Sequence, residues 1–258
     1  MTKILFFDID GTLVSFKTHR VPQSALDAIH RVRQKGIKVW IATGRPMPFI
    51  NNLDGVEYDG IMSVNGAHCQ LNDGTVIFSK PTDRKDVERM IEEQKHSGIA
   101  VAYAGNDRAI VAAPKGLPKE LDDVFTLLDI KQPELHAPEE ALTFQVMQII
   151  AFFNKEQSKH IMGDVLKGCN ENRWHPDFAD CVAKGTDKAA GIDAVIKYYG
   201  YDISETMAFG DGGNDITMLR HAGIGVAMGN ANDEVKQSAD IVTTTVDEDG
   251  IANILNKL

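Results

Sequence analysis

The chain has 258 residues, 43% of them hydrophobic and 25% charged, with a formal net charge of −10. That length suits one large domain or two modest ones, and the composition is that of an ordinary globular protein rather than a disordered or fibrous one. The negative charge gives no general attraction for nucleic acid, so a phosphorylated ligand would need local positive charge from a metal or a few basic residues. Cys69, Cys169 and Cys181 are odd in number and form no Cys-x-x-Cys pair, which fits reduced thiols rather than a disulfide framework. The apolar run after Lys3 stops at Asp8, too short for the core of a signal peptide, and no stretch has membrane-spanning length. The expectation is a soluble cytoplasmic protein.

Ile4-Leu5-Phe6-Phe7 has no alternation and predicts a strand covered on both faces. It breaks into Asp8-Ile9-Asp10-Gly11-Thr12, so two carboxylates stand at the carboxyl end of that strand, where open parallel sheets bind their ligands. A helix capped by Ser24 is expected to run to about Lys35 and end at Gly36. Ile37–Ala42 is the next strand, making a βαβ unit with parallel neighbours, and it ends in Thr43-Gly44-Arg45-Pro46. Residues 47–56 predict a short helix or turn. A third strand over Asp59–Val64 leads into Asn65-Gly66, and a hairpin follows around Asn72-Asp73-Gly74.

From about Thr82 the pattern changes. A charged helix from Asp83 to Ser97-Gly98 precedes an antiparallel pair, Ile99–Ala104 and Arg108–Ala113. Lys119–Leu128 is expected to be helical, and Asp129–Glu140, which carries Pro133 and Pro138, irregular. A long strand over Phe144–Phe153, a helix over Gln157–Lys167 and a last hairpin around Asp177 complete an inserted α+β domain at 82–183, between core segments 1–81 and 184–258. Then the α/β rhythm returns: a helix capped by Thr186 or Asp187 and starting at Lys188, a buried strand Thr206–Phe209, the loop Gly210-Asp211-Gly212-Gly213-Asn214-Asp215, a helix to His221, a strand over Ile224–Met228, a short helix, an edge strand at Ile241 and a final helix.

Four places carry chemistry: Asp8/Asp10, Thr43-Gly44, Lys188, and Asp211 through Asp215. Three of them follow strands of one parallel sheet, so they can converge. Each alone has a plainer reading: a capped turn, an ordinary strand-to-helix turn, a solvated lysine, a glycine-rich turn. Together they make a cluster of oxygen ligands of the kind Mg²⁺ takes, beside hydroxyl and amide donors for phosphate oxygens. Lys188 in the first turn of a helix opposes the helix dipole and invites an anionic partner. The Gly210–Asp215 loop lacks the Lys and Ser/Thr of a Walker loop, and Gly223-x-Gly225 completes no dinucleotide fingerprint.

In this order the four places resemble the four motifs of the haloacid dehalogenase (HAD) superfamily: Asp8-Ile9-Asp10-Gly11-Thr12 the first, Thr43 the second, Lys188 the third, Gly210–Asp215 the fourth. The insert resembles a type IIB cap by position, size and texture, and the whole is similar to the Cof-type sugar phosphatases. The resemblance implies an α/β fold, a Rossmann-like parallel-sheet core with an inserted α+β cap. It implies Asp8 as nucleophile and Asp10 as general acid and base. It also implies Mg²⁺ on Asp8, Asp211 and the Asp10 carbonyl, and phosphate held by Ile9, Thr43, Gly44, Lys188 and Asn214, with Asp215 bracing the metal shell or Lys188. Arg45, His175, Asp177 and Asp180 are candidate substrate contacts, while Trp174 reads as core rather than a sugar platform. The implied partner is a small phosphorylated metabolite, most simply a hexose or pentose phosphate, with no nucleic acid and no membrane; the oligomeric state is unspecified. Asp10 disfavours a dehalogenase, which lacks this second acid, and a transport ATPase, which carries a threonine there. A sugar phosphomutase and a non-catalytic sensor of phosphorylated metabolites are the alternatives.

Overall fold

The computed structural model describes all residues except 120, 122, 124, 125 and 127–133. Its contacts divide the chain into two compact units: Met1–Gly44 with Asn51–Ser79 and Asp187–Leu258, and Arg45–Ile50 with Lys80–Thr186.

The first unit is built on an eight-stranded sheet. Its strands are β1 (Ile4–Phe7), β2 (Lys38–Ala42), β3 (Gly60–Ser63), β4 (His68–Leu71), β5 (Val76–Ser79), β11 (Thr206–Gly210), β12 (Ile224–Ala227) and β13 (Ile241–Val242). The order is β13-β12-β11-β1-β2-β3-β4-β5. All neighbours are parallel except β3–β4 and β4–β5, and β4–β5 is the predicted hairpin. β1 lies between β2 and β11, and its four side chains are completely buried. Each such burial is worth roughly 1.5–3 kcal/mol, which is why the run tolerates no polar residue until its end. Ile4 and Phe6 enter a core with Trp40, Met62, Ile192 and Met218, while Phe7 stacks on Phe209 with ring centroids 4.6 Å apart. The helices α1 (Gln23–Gln34), α4 (Lys188–Tyr199), α5 (Ile216–His221), α6 (Asp233–Gln237) and α7 (Gly250–Leu255) belong to this unit.

The second unit has a five-stranded antiparallel sheet of β6 (Val101–Ala104), β7 (Ala109–Ala112), β8 (Gln148–Ala151), β9 (Cys169–His175) and β10 (Phe178–Ala183), in the order β7-β6-β8-β10-β9. Helix α2 (Arg84–Ser97) is capped by Asp83, whose carboxylate accepts from the Lys85 amide, and ends at Gly98 with φ +75°. It buries Val87, Met90 and Ile91 on its inner face, and α3 (Lys155–His160) follows β8.

Several local expectations need correction. Ser24 does not cap α1: Pro22 stands at the cap with no side-chain hydrogen bond, and the Ser24 hydroxyl donates to Asp249 at 2.5 Å. The strand expected over Phe144–Phe153 is regular only at Gln148–Ala151, because Pro138–Thr143 turns as a 3₁₀ segment and the Val146 carbonyl accepts from Thr82 outside the ladder. The helix expected at Gln157 starts two residues earlier, where Asn154 and Gln157 form a reciprocal cap. It opens into a wider turn at Ile161–Val165. The helix expected over Lys119–Leu128 lies for the most part outside the described residues, as do residues 129–133 of the irregular stretch and the Trp174 side chain; the rest of that stretch holds an isolated bridge at Leu135 and the start of the 3₁₀ segment at Pro138.

Candidate active site

The β1 ladder continues one residue past the strand, the Asp8 amide donating to Phe209 at 3.0 Å. Asp8 thus leaves the sheet at its carboxyl edge and is itself buried. Lys188 is the first residue of α4, whose N-terminus is capped by Asp187 accepting from the Ala190 amide. Its ammonium is fully buried and donates to Asp8 Oδ1 at 2.6 Å and to Asp215 Oδ1 at 2.5 Å. The anionic partner that a first-turn lysine invites is therefore a pair of carboxylates.

Asp215 Oδ2 accepts from the backbone amides of Asp211 and Gly212, at 2.9 and 2.8 Å. Both Asp215 oxygens are thereby engaged, one by Lys188 and one by the loop it closes. Asp211 Oδ1 accepts from the Thr12 hydroxyl at 2.8 Å and Oδ2 from the Asn230 amide at 3.1 Å. Gly11, at φ +86°, is required here, since a Cβ at this position would collide with the Asp211 carboxylate.

One ligand atom from each of Asp8, Asp211 and Asp215 lies within 4.8 Å of the others. Three carboxylates face one ammonium, so ionisation of all three leaves uncompensated negative charge. Burial, then Asp215, pushes the Asp8 carboxyl well above its ordinary range, with Lys188 opposing. Burial and Asp215 push Asp211 up to about 7, opposed by Thr12 and Lys188. Burial disfavours the Lys188 ammonium, but Asp215 and Asp8 outweigh it and hold its pKa above the usual lysine value. An all-oxygen cluster with surplus negative charge fits a hard divalent cation.

On the other side of β1, the Thr43 amide donates to Met62 at 2.8 Å and the Thr43 carbonyl accepts from Asn65 at 3.0 Å. Val64 and Asn65 both have positive φ, 54° and 49°, a costly backbone for a β-branched residue. The turn brings Asn65 against Asn214, whose amide nitrogen donates to Asn65 Oδ1 at 2.9 Å. A Cβ built on Gly44 would lie 3.2 Å from the amide nitrogens of both asparagines, so Gly44 is the opening beside two amide groups. Asp10 is partly exposed and its carboxylate is not one of the clustered three.

Asn65 and Asn230 were not among the sequence candidates. Asn65 reads as hairpin-turn chemistry in Asn65-Gly66. Asn230 reaches the Gly11 carbonyl at 2.8 Å across 219 residues, a contact with no local signal. The other candidates belong to the second unit. Arg45 is buried and donates to the Phe49 carbonyl at 2.8 Å. His175 stacks on Phe178 with centroids 5.0 Å apart and its Nδ1 accepts from the Asp177 amide at 3.3 Å, while Asp180 is buried on β10. The three cysteines are free and buried, and burial pushes the thiols of Cys69 and Cys169 up to about 12 and 11, away from nucleophile chemistry.

Comparison with known proteins accords with this arrangement. The "Putative phosphatase YkrA" of Bacillus subtilis (strain 168) is 32% identical over 263 residues, covering 100% of this chain and 98% of its own. "Pyridoxal phosphate phosphatase YbhA" of Escherichia coli (strain K12) is 30% identical, covering 98% of this chain and 97% of its own. Among solved structures, one described as the HAD subclass IIB sugar phosphatase BT4131 matches with a TM-score of 0.88 and 40% identity, over 99% of this chain and 98% of that one. The profile of the haloacid dehalogenase-like hydrolases matches residues 5–255. The chain belongs to the haloacid dehalogenase-like hydrolases, with an α/β parallel-sheet core, and is a phosphatase of that family.

Proposed function

We propose that this phosphatase is Mg²⁺-dependent and hydrolyses small phosphorylated metabolites, sugar (hexose or pentose) phosphates foremost, through an aspartyl-phosphate on Asp8. The observation that supports it best is the buried Lys188 ammonium, which fixes one oxygen of Asp8 at 2.6 Å. The other Asp8 oxygen has no hydrogen-bond partner among the described residues and is the proposed nucleophile.

In this reading that oxygen attacks phosphorus, the bond from phosphorus to the ester oxygen breaks, and Asp10 gives its proton to the leaving alcohol. Asp10 then takes a proton from water. The water oxygen displaces Asp8 from phosphorus, releasing inorganic phosphate and restoring both carboxyl groups. The amides of Ile9 and Gly44, with Thr43, Lys188 and Asn214, donate to the phosphoryl oxygens as charge develops, and Asn65 joins them from beside Gly44. Asp8, Asp211 and the Asp10 carbonyl would hold Mg²⁺, which when bound supplies charge neutralisation at the phosphoryl group. Asp215 braces Lys188 and the Gly210–Asp215 loop. Substrate choice is assigned to the inserted segment at 82–183, with Arg45, His175, Asp177 and Asp180 as candidate contacts. The sugar reading draws on the 40% identity to a described sugar phosphatase.

The test is phosphate release over sugar phosphates, pyridoxal phosphate, nucleotides and phospho-acids. Chelation by EDTA should abolish turnover and added Mg²⁺ restore it. Asp8→Asn should lower the rate by about 10³-fold or more, as loss of a covalent nucleophile does. Native turnover by D8N sinks the nucleophile assignment, and full activity in EDTA sinks the metal assignment.

A further inference from the structure

The sheet of the second unit has two unlike faces. Side chains alternate along each strand, and Val101, Tyr103, Ile149 and Cys181 point into the same core as Val87 and Met90 of α2. The opposite face is apolar or small on β7 and β6. It becomes polar across β8, β10 and β9, where it carries Gln148, Asp180 and Asn172. Gln148 pairs with Ala104 and Val182, and Asp180 pairs with Ile150 and Asn172.

Gln148 is completely buried, yet neither its Nε2 nor its Oε1 has a partner among the described residues, and the buried Nδ2 of Asn172 has none either. A buried carboxamide left unpaired costs free energy. The contrast with Gln94 in the same unit is direct. Gln94 is equally buried, but its Nε2 donates to the Ile99 and Ala112 carbonyls at 2.9 and 3.0 Å and its Oε1 accepts from the Tyr103 hydroxyl at 2.6 Å. Gln94 is a structural amide; Gln148 has its full hydrogen-bonding capacity in reserve.

We infer that Gln148, Asn172 and Asp180 form a recognition site for vicinal hydroxyls, with Gln148 as the specificity-determining residue of the phosphatase; this rests on the sugar-phosphate reading above. A hydroxyl offers one donor and needs one in return, while a carboxamide supplies two donors and an acceptor and a carboxylate supplies acceptors. Two adjacent hydroxyls can therefore donate to Gln148 Oε1 and Asp180 and accept from Gln148 Nε2 and Asn172 Nδ2. A phosphate ester without hydroxyls leaves the buried amide unpaired, and such sites discriminate against the ligand that lacks the group.

Gln148→Met keeps the volume and removes the amide. The ratio of kcat/KM for a hexose phosphate to that for p-nitrophenyl phosphate should fall about tenfold, carried by KM. The melting temperature of the unliganded protein should stay level or rise, because the lost amide had no partner to lose; a merely structural glutamine would lower it. As a second measurement that needs no variant, the wild type should prefer a hexose phosphate over its deoxy analogues by about tenfold at one or more ring positions. Native turnover of sugar phosphates with the ratio unmoved by Q148M, or with no deoxy analogue discriminated, overturns the hydroxyl site alone. A wild type that cleaves p-nitrophenyl phosphate but no sugar phosphate overturns the site together with the sugar reading.

Discussion

In each unit a basic side chain sits between two carboxylates. In the first, Lys188 lies 2.6 Å from Asp8 and 2.5 Å from Asp215, with side-chain exposures of 0%, 9% and 0%. In the second, His160 lies 3.2 Å from both Glu93 and Asp164, with His160 and Asp164 exposed at 55% and 71%. The arrangement is the same when His160 is protonated, and its physical worth is not. Water and salt compete with the exposed group, while nothing replaces a buried partner once it is gone. The origins differ too. His160 has one partner four residues away in Asp164 and the other 67 residues away in Glu93, whereas Lys188 draws both partners from outside its own helix, 180 and 27 residues away. Only the sheet topology, with β1 beside β11, assembles the buried group.

The severest way to break this contrast is to remove each cation in turn. Lys188→Met leaves Asp8 and Asp215 buried without their counter-ion. In metal-stripped protein it should lower the unfolding free energy by about 3–5 kcal/mol in a denaturant titration. His160→Ala should leave the midpoint nearly where it was. Equal losses in the two variants would mean that burial does not separate the groups.

A smaller effect sharpens the first half of the comparison. Asp211 has its pKa raised to about 7 by burial, then by Asp215. A raised acid pKa means that the folded state binds the proton more tightly than the unfolded chain. From the ordinary value near 3.8 up to about 7, the folded state therefore holds more protons, and stability falls as pH rises through that window. Metal-stripped protein should melt at progressively lower temperature between about pH 5 and pH 7. Asp211→Asn should flatten the slope, and so should saturating Mg²⁺, which favours the ionised form. A wild-type slope of the opposite sign, or one that D211N leaves intact, contradicts the assignment.

The same division between local and assembled structure governs what could be read before the fold was known. The apolar run Ile4–Phe7, the Asp83 cap with Gly98 closing α2, and the hairpin at Asn72–Gly74 are set by neighbours in sequence, and the structure has them. Asp8, Lys188, Asp211 and Asp215 were identifiable because carboxylates at strand ends and a lysine in a first helical turn are locally unfavourable. Asn65 and Asn230 were not, because an asparagine in a turn is locally unremarkable and its partners Asn214 and Gly11 lie 149 and 219 residues away. Ser24 misled for the converse reason: a serine that looks like a cap has a better acceptor in Asp249, 225 residues on. Gln148 escaped notice because a single glutamine in an apolar strand carries no pattern; its meaning lies in the partners it lacks.

The smallest effect concerns the exposed group itself. Its hydrogen bond to Glu93, then that to Asp164, raises the His160 pKa above the ordinary 6.5. A raised histidine pKa gives stability that is fully present below the unfolded value and is lost as pH rises through the folded one, the same sign as in the Asp211 case though the cause is a favoured charge rather than a disfavoured one. Followed by NMR, the imidazole should titrate with a midpoint above 6.5. Glu93→Gln should lower that midpoint more than Asp164→Asn, because Glu93 is the less exposed partner, at 19% against 71%. Added salt should draw the wild-type midpoint back toward the free value, since these charges face solvent within reach of counter-ions. A midpoint that ignores both salt and E93Q would remove the electrostatic half of the comparison and leave His160 as an ordinary surface imidazole.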